Sequence, residues 1–427
     1  MTGLARYREL FGRPHAAALV GWSLVGRLPL GMTALALLFL LRGEGYSYGA
    51  AGIGVASYTV AVGVGAPIAG RRVDLLGPSR VLAVRGLVYP SCMGAVIVLA
   101  LLDAGLAPIA LAAAFGGLAM PPLPATVRIV WPRLAPDELR STAYALEASL
   151  QELFFLGGPL LAAGLAALQP VAGVAGAGAA GLVGTLATSR LRPVRETPPS
   201  RHEGAGLLGA LDSRAVRTVV LYAATIGVGF GAVELAMPAF AEAHGSRELG
   251  GLALACFSGG SLTGGLLAGA RAHRNELRRF VLGSLAIALG LVGFQLAFSI
   301  PSLCVLAFVA GLPIAPTIAV VYTLIDRSAR RGTAAEAFAW FGTAISVGIA
   351  AGTAGGGVLV DERGVRWAFG VGAAIAFLGA LVGFARSETF RADPASTLPS
   401  SARSSGDRAA RAGEPHVSPA KPPPSGS

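Results

Sequence analysis

The sequence has little charge and almost no lysine. Only 13% of its 427 residues are Asp, Glu, Lys or Arg, and Lys421, close to the C-terminus, is the single lysine. The apolar part of the chain therefore lacks a lysine that could hold a nucleotide phosphate or form a Schiff base. This absence excludes ATP-driven transport by this chain alone and lysine-based cofactor chemistry.

Cysteine and histidine are also scarce. The three cysteines fall inside apolar stretches, where they serve as small packing residues, and they show neither disulfide nor metal spacing. The five histidines lie in predicted loops or tails without ligand spacing. We therefore expect no cofactor, no metal site and no membrane-embedded enzyme.

What the chain does have is long apolar runs. Its residues are 54% hydrophobic, they include 60 glycines, and the mean hydropathy is +0.65. Apolar stretches of about 20 residues, each long enough to cross a hydrocarbon layer of about 30 Å, recur along the chain. The stretches are 16–41, 47–69, 81–101, 105–128, 141–167, 170–188, 216–241, 248–270, 280–299, 302–325, 334–360 and 366–386. They predict an all-α membrane protein with twelve transmembrane helices.

The basic residues are distributed unevenly across these spans. Of the 34 Lys and Arg residues, all but five fall on the side that carries both termini; the exceptions are Arg42, Arg247, Arg363 and Arg366 on the opposite side and Arg27 inside a span. By the positive-inside rule this bias predicts a multi-pass protein of the cell membrane with both termini in the cytoplasm. The net charge of +11 is thus a topology signal, and we expect no nucleic-acid partner.

The chain divides into two similar halves. A Pro- and Gly-rich charged segment, 190–215, is too polar to span and predicts a cytoplasmic linker between six-helix bundles at 16–189 and 216–386. Residues 1–15 form a cytoplasmic N-terminal segment, and the Ser/Pro/Arg-rich residues 387–427 predict a disordered cytoplasmic tail. GLAMPPLPATVRIVWPRLA, from Gly117, aligns with GLPIAPTIAVVYTLIDRSA, from Gly311. A parallel repeat of six helices is typical of secondary transporters whose solute site lies near the bilayer midplane.

A basic segment, GRRVDLLGPSR, follows the second span. Its skeleton, Gly70, Asp74, Gly77 and Arg80, resembles the signature loop of the major facilitator superfamily (MFS). The resemblance implies the MFS fold, with two pseudo-symmetric six-helix bundles, in a monomeric transporter of small molecules. It also implies that Asp74 meets the start of helix 11 and locks the cytoplasmic side.

One further feature bears on this contact. Helix 11 begins with a predicted capping box, in which Thr333 is the N-cap and Glu336 reaches back. The alternative for Asp74 is that it only offsets the neighbouring arginines.

A second resemblance lies in the fifth span, at GGPLLAAG. Its residues Gly157, Gly158 and Pro159 are similar to the Gly-Pro pattern of MFS antiporter branches, which favours export over import. We expect the small residues to let helices from opposite halves approach closely, with Pro159 bending the helix.

Few ionisable residues are predicted inside the membrane, where each is a candidate for function because burial there is costly. Arg27 lies near the middle of span 1, and Glu152 lies at nearly the same depth in span 5. We expect these two to face each other or share a substrate, with Glu147 and Glu234 as further members of a substrate and proton pathway. The alternative is a set of buried ion pairs that fix helix register. Because desolvation favours the neutral form of a carboxylic acid, Glu152, or else Glu234, is the candidate proton carrier.

Three functions remain open at this point. The first is efflux of small organic molecules by a bacterial-type proton antiporter that works by alternating access. The second is an uptake permease for a sugar, an amino acid or an organic anion, with Arg27 as the anion partner. The third is a sensor or scaffold that has lost transport.

Overall fold

The structure, a computed structural model, describes residues 3–46, 48–199, 209–245, 249–270, 275–330 and 332–390. Every regular element in these ranges is a helix, and twelve helices are long and apolar enough to cross a bilayer. We label the first six α1 (Ala16–Gly43), α2 (Tyr48–Leu76), α3 (Pro78–Leu101), α4 (Leu106–Leu134), α5 (Asp137–Leu168) and α6 (Pro170–Arg190). The other six are α7 (Arg214–Ala243), α8 (Gly250–Gly269), α9 (Glu276–Gly293), α10 (Ile300–Ser328), α11 (Ala334–Arg363) and α12 (Val365–Ala385). The predicted all-α membrane fold with twelve spans is confirmed.

Two of the spans are broken at the same place. The fourth consists of α4a (Leu106–Leu118) and α4b (Leu123–Leu134), and the tenth of α10a (Ile300–Gly311) and α10b (Ile314–Ser328). Both breaks fall in the Pro-rich copies of the sequence repeat, because proline has no N–H to continue the helix. In α4, Arg85 of α3 donates to the carbonyl oxygens of Leu118 and Met120, at 2.6 and 2.9 Å. This arginine therefore satisfies backbone acceptors that the break leaves without helical partners.

The segments outside the spans are partly helical. The N-terminal segment contains a helix at Gly3–Phe11, and a short helix at Arg192–Arg195 follows α6. The prediction of a disordered tail from 387 needs correction at its start. Ser387–Phe390 forms a 3-10 turn, and the Phe390 ring lies 5.6 Å from the Phe280 ring, centroid to centroid. The rest of the predicted tail and positions 200–208 of the predicted linker lie outside the described residues.

Helix packing repeats between the two halves of the chain. In the N-half (α1 to α6), α1 packs against α5 and α6, α2 against α4, and α3 against α6. In the C-half (α7 to α12), α7 packs against α11 and α12, α8 against α10, and α9 against α12. Each pair recurs with a shift of six helices, as expected of two pseudo-symmetric bundles.

The two halves meet chiefly through α2 with α11 and α5 with α8, which are equivalent pairs under the same shift of six. Helix α5 also contacts α10b, and α4b contacts α11. We call the face of the bundle that carries the N-terminal helix and the turn at Ser387–Phe390 the terminal side. An even number of spans places both of these elements on that one face.

Candidate functional site

Arg27 forms an ion pair within the N-half. A guanidinium nitrogen of Arg27 lies 2.8 Å from a carboxylate oxygen of Glu147, and both side chains are almost fully buried. The other Glu147 oxygen accepts a hydrogen bond from the Trp131 indole at 3.2 Å. The expectation that Arg27 faces Glu152 is therefore wrong. Five residues along an α-helix correspond to about 140° of rotation, so Glu152 lies on a different face of α5 from Glu147.

Glu152 instead faces the C-half. Its carboxylate accepts a hydrogen bond of 2.8 Å from the Ser261 hydroxyl of α8. Glu234, on α7, lies close enough to Glu152 to interact with it electrostatically. The three predicted carboxylates thus fall into two groups: Glu147 is paired with Arg27 inside one bundle, whereas Glu152 and Glu234 lie on different halves and interact with each other electrostatically.

A second polar cluster joins the halves through Arg128, which the charge bias along the sequence assigns to the side that carries both termini. Arg128 of α4b donates to the Tyr322 hydroxyl of α10b at 2.6 Å and to the Gln151 side chain of α5 at 3.2 Å. Its guanidinium carbon lies 3.9 Å from the centre of the Tyr322 ring, an arrangement that adds a cation–π attraction. The Tyr322 hydroxyl also donates to Gln151, at 3.1 Å. Three side chains from both halves therefore share one buried network.

Asp74 reaches the first turn of α11. Its two carboxylate oxygens accept the backbone N–H groups of Ala335, at 3.1 Å, and Glu336, at 2.9 Å. These N–H groups have no partner within their own helix, and the positive end of the helix dipole attracts the negative charge. Gly70 permits the approach, since a Cβ there would overlap the carbonyl oxygen of Ala335.

The predicted capping box at α11 is not formed. Thr333 is the N-cap residue, but its side chain accepts no capping hydrogen bond, and its hydroxyl donates to the carbonyl oxygen of Arg330. The Glu336 carboxylate accepts a hydrogen bond from the backbone N–H of Ala210, ahead of α7, at 3.4 Å. Asp74, from the other half, thus supplies the cap that the sequence assigns to Thr333.

The predicted signature loop is mostly helical. Helix α2 continues through Asp74 to Leu76, and only Gly77, with a φ of 83°, separates it from α3. A positive φ favours glycine because a Cβ would be strained there. Arg80 lies exposed in the first turn of α3. The rigid end of α2 therefore carries Asp74 to α11.

Further contacts close the terminal side. Arg140 at the start of α5 lies 3.5 Å from a carboxylate oxygen of Asp326 near the end of α10b, which forms an ion pair between the halves. Thr343 of α11 donates to the carbonyl oxygen of Gly63 in α2 at 3.1 Å. Together with the Asp74 contact, these bonds run from the middle of the membrane to the terminal side. The structure thus shows a conformation that is closed on that side.

The N-terminal helix bridges the same interface. Arg6 donates to the Thr142 hydroxyl of α5 at 3.0 Å, and that hydroxyl donates to the carbonyl oxygen of Gly269 at the end of α8 at 2.8 Å. Tyr7 donates to the carbonyl oxygen of Leu266 in α8 at 2.9 Å. Burial raises the pKa of Tyr7 to about 12, so the phenol keeps its donor proton even at alkaline pH. The segment before α1 is therefore part of the closure.

The Gly-Pro segment of α5 packs within one half. A Cβ at Gly158 would overlap the backbone of Gly31 in α1, whereas a Cβ at Gly157 would meet no atom within 4 Å. The expectation that these glycines join opposite halves is wrong, because Gly158 faces α1 of the same bundle and Gly157 faces open space. Helix α5 meets α8 nearer its start, where Ser149 lies against Gly265. Pro159 lies inside an α5 that stays continuous from Asp137 to Leu168.

A family comparison identifies this arrangement. The sequence matches the model of the Major Facilitator Superfamily over residues 16–246 and 219–420, which together contain all twelve spans. The chain belongs to the major facilitator superfamily. This MFS protein is accordingly a multi-pass membrane transporter and not an enzyme.

Solved structures share the MFS fold at low sequence identity. The human organic anion transporter MFSD10 (TETRAN) is 17% identical, with a TM-score of 0.67 over 86% of this chain and 98% of that one. A bacterial homologue of the iron transporter ferroportin, in an outward-facing state, is 15% identical, with a TM-score of 0.66 over 87% and 99%. The proton:xylose symporter XylE, bound to 6-bromo-6-deoxy-D-glucose, is 15% identical, with a TM-score of 0.63 over 85% and 94%. A search of curated protein sequences finds no match.

Proposed function

We propose that this MFS transporter is a bacterial-type exporter, which moves small organic molecules out of the cell in exchange for protons. The observation that carries the proposal is the position of Glu152, on α5 of one half, bonded to Ser261 on α8 of the other. Glu234, on α7, shares its electrostatic environment. A carboxylate at this depth costs several kcal/mol in its charged form unless a partner or water stabilises it.

The contact across the halves supplies a coupling mechanism. In the closed conformation Ser261 donates to Glu152, and a proton that arrives from the far side of the membrane is held between Glu152 and Glu234. When the halves part on the terminal side, α8 moves away from α5 and Glu152 loses Ser261 as a donor. Water then reaches Glu152, and this hydration favours its charged form. The proton then leaves on the terminal side as the substrate binds there.

Asp74 has a gating role in this cycle. It holds α2 of the N-half against α11 of the C-half, and the Arg140–Asp326 ion pair lies across the same side. Opening on the terminal side has to break these bonds, and binding of substrate compensates for their loss. Gly70 allows α2 to approach α11 closely, and Gly77 makes the turn from α2 into α3. Arg80 adds to the basic surface of the terminal side.

The charge distribution and the α5 motif support the direction of transport. The excess of arginine on the terminal side supports a cytoplasmic location of the termini by the positive-inside rule. The resemblance of Gly157, Gly158 and Pro159 to the antiporter pattern favours export.

We further propose that the chain works as a monomer, since each half supplies residues to the central site of the same chain.

Transport into inside-out membrane vesicles with an acidic lumen tests the proposal. The probes are 2-naphthalenesulfonate and 2-naphthyltrimethylammonium, which bear permanent charges and cross bilayers poorly unaided. We expect the wild-type protein to accumulate at least one probe while the lumen becomes less acidic. Glu152→Gln should abolish accumulation, whereas Glu138→Gln, an exposed glutamate at the start of the same helix, should not.

Accumulation of a probe in right-side-out vesicles with acid outside would contradict export and favour the uptake permease. Failure of the wild-type protein to move either probe, with no change in lumen pH, would count against the proposal as a whole. Normal proton-driven accumulation by Glu152→Gln would remove Glu152 from the proton pathway.

A further inference from the structure

The core of the N-half holds more positive than negative charge. Arg27, Arg128 and Glu147 lie between α1, α4b and α5, and the three side chains are 2%, 5% and 0% exposed. The two guanidinium groups are close enough to interact electrostatically, and Glu147 is the carboxylate paired with Arg27. Within the part of the chain that the structure describes, one positive charge in this cluster is therefore not balanced by a partner carboxylate. An unbalanced charge within the membrane is costly and points to function.

The same cluster contains buried donors without acceptors. Among the described residues, Nε and one terminal nitrogen of Arg27 and the Nε of Arg128 have no hydrogen-bond partner. Leaving a buried donor unsatisfied costs about 1–3 kcal/mol, and more for a charged group. Native proteins rarely leave several such donors together without a bound species to satisfy them. A planar guanidinium binds carboxylate, sulfonate or phosphate oxygens best, often with two parallel hydrogen bonds.

The closest partner of Arg128 comes from the other half. The Tyr322 hydroxyl accepts from Arg128 at 2.6 Å, and the Tyr322 ring covers the guanidinium at 3.9 Å. Within its own half, Arg128 donates to Gln151, a neutral amide, at a longer 3.2 Å. Because Tyr322 lies on α10b, parting of the halves on the terminal side withdraws both the hydroxyl and the ring. Arg128 would then lose its strongest partner and become open to that side.

We propose that Arg128, with Arg27 behind it, binds the anionic group of an organic anion when the terminal side is open, and that Tyr322 displaces this group on closure. The inference rests on the proposed export function and names its substrate class. An anion entering from the terminal side balances the surplus charge and satisfies the orphaned donors. When the terminal side closes, Tyr322 returns to Arg128 and displaces the anion. The anion is therefore released from the conformation that is closed on the terminal side.

Binding to the purified full-length protein tests the inference with three probes that share one ring system. These are 2-naphthalenesulfonate, the neutral 2-naphthalenesulfonamide and 2-naphthyltrimethylammonium. We expect the wild-type protein to bind the sulfonate at least tenfold more tightly than either other probe. Arg128→Gln should weaken sulfonate binding at least thirtyfold without changing sulfonamide binding. Arg128→Lys, which keeps the charge but not the planar fork, should recover part of the loss.

Two further variants separate anion binding from gating. Arg133→Gln removes an exposed arginine from the same helix and should leave sulfonate binding unchanged. Tyr322→Phe removes the competing hydroxyl and should tighten sulfonate binding about fivefold, with little effect on the sulfonamide. If Tyr322 acted only as a gate, Tyr322→Phe would change the affinities for the sulfonate and the sulfonamide by the same factor. That result would contradict the proposal. Melting temperatures and size-exclusion profiles verify that each variant is folded.

The inference is overturned if the wild-type protein does not bind the sulfonate, if it prefers the neutral or the cationic probe, or if Arg128→Gln binds the sulfonate normally. These outcomes differ from failure of the proposed function. Proton-driven accumulation of the cation, blocked by Glu152→Gln and unaffected by Arg128→Gln, would support the antiporter and reject the anion site. Specific sulfonate binding without any proton-coupled accumulation would support the site and reject the antiporter.

Discussion

Replacing Asp74 by Asn should open the terminal side. The carboxylate accepts two backbone N–H groups at the start of α11, at 3.1 and 2.9 Å, from a nearly buried position. Hydrogen bonds to charged groups contribute about 1.5–3 kcal/mol each, and the helix dipole adds about 0.3–1 kcal/mol. An amide keeps one acceptor oxygen but places an NH2 group against the second N–H. We therefore expect the closed conformation to lose about 2 kcal/mol, which raises the open-to-closed ratio about thirtyfold.

Spin-label distances measure this ratio directly. Labels at Arg190, at the end of α6, and Arg278, in the first turn of α9, are exposed positions on the terminal side of opposite halves. The three native cysteines, Cys92, Cys256 and Cys304, are first replaced by serine. A thirtyfold change converts an open population of about 3% into about 50%, so a second, longer distance should emerge in the Asp74→Asn variant.

Asp361→Asn, at the exposed opposite end of α11, is the matched control and should retain the wild-type distance distribution. A distribution for Asp74→Asn that coincides with that of the wild-type protein would refute the reasoning. The contact between Asp74 and α11 would then be present without contributing to closure.

Two predictions concern the packing of α1 against α5. Arg27→Met leaves Glu147 charged and unpaired, which should cost about 3–5 kcal/mol of stability, while the double variant Arg27→Met with Glu147→Gln should recover most of it. Thermal unfolding in detergent measures both, and equal melting temperatures for the single and double variants would show that the ion pair is not coupled. Gly158→Ala should lower the melting temperature because its Cβ overlaps Gly31, whereas Gly157→Ala, with open space around it, should not. Equal effects of the two alanines would contradict the packing described here.

The sequence predicts the fold well because the bilayer imposes strict requirements on it. Only a helix satisfies its own backbone hydrogen bonds in lipid, so apolar length alone identifies the twelve spans. The breaks in α4 and α10 fall within the repeat from Gly117 and Gly311, but the sequence predicts a continuous span in both places. Hydropathy places the ends of spans less well. It ends span 2 before Gly70 and span 4 at Arg128, although α2 continues to Leu76 and α4b to Leu134.

The contacts of the candidate site are harder to predict from sequence. They depend on how each helix is rotated about its axis and on how the two halves pack together. Arg27 and Glu152 lie at nearly the same depth, so depth alone predicts that they pair. On α5, however, Glu147 faces Arg27, and Glu152 faces Ser261 of α8. In the sequence, Arg128 is one of many basic residues that the positive-inside rule explains, so nothing distinguishes it as a site residue. Its partner Tyr322 lies 194 positions away, and no local pattern indicates a contact over that separation.

In the proposed cycle, Glu152 is the group that couples proton movement to transport. Proteoliposomes measure this by two assays on one preparation: accumulation of a probe driven by a pH gradient, and exchange of labelled for unlabelled probe without a gradient. We expect the wild-type protein to perform both and Glu152→Gln to exchange the probe without accumulating it, because a neutral amide permits the conformational cycle but carries no proton. Accumulation by Glu152→Gln at the wild-type level would contradict the account.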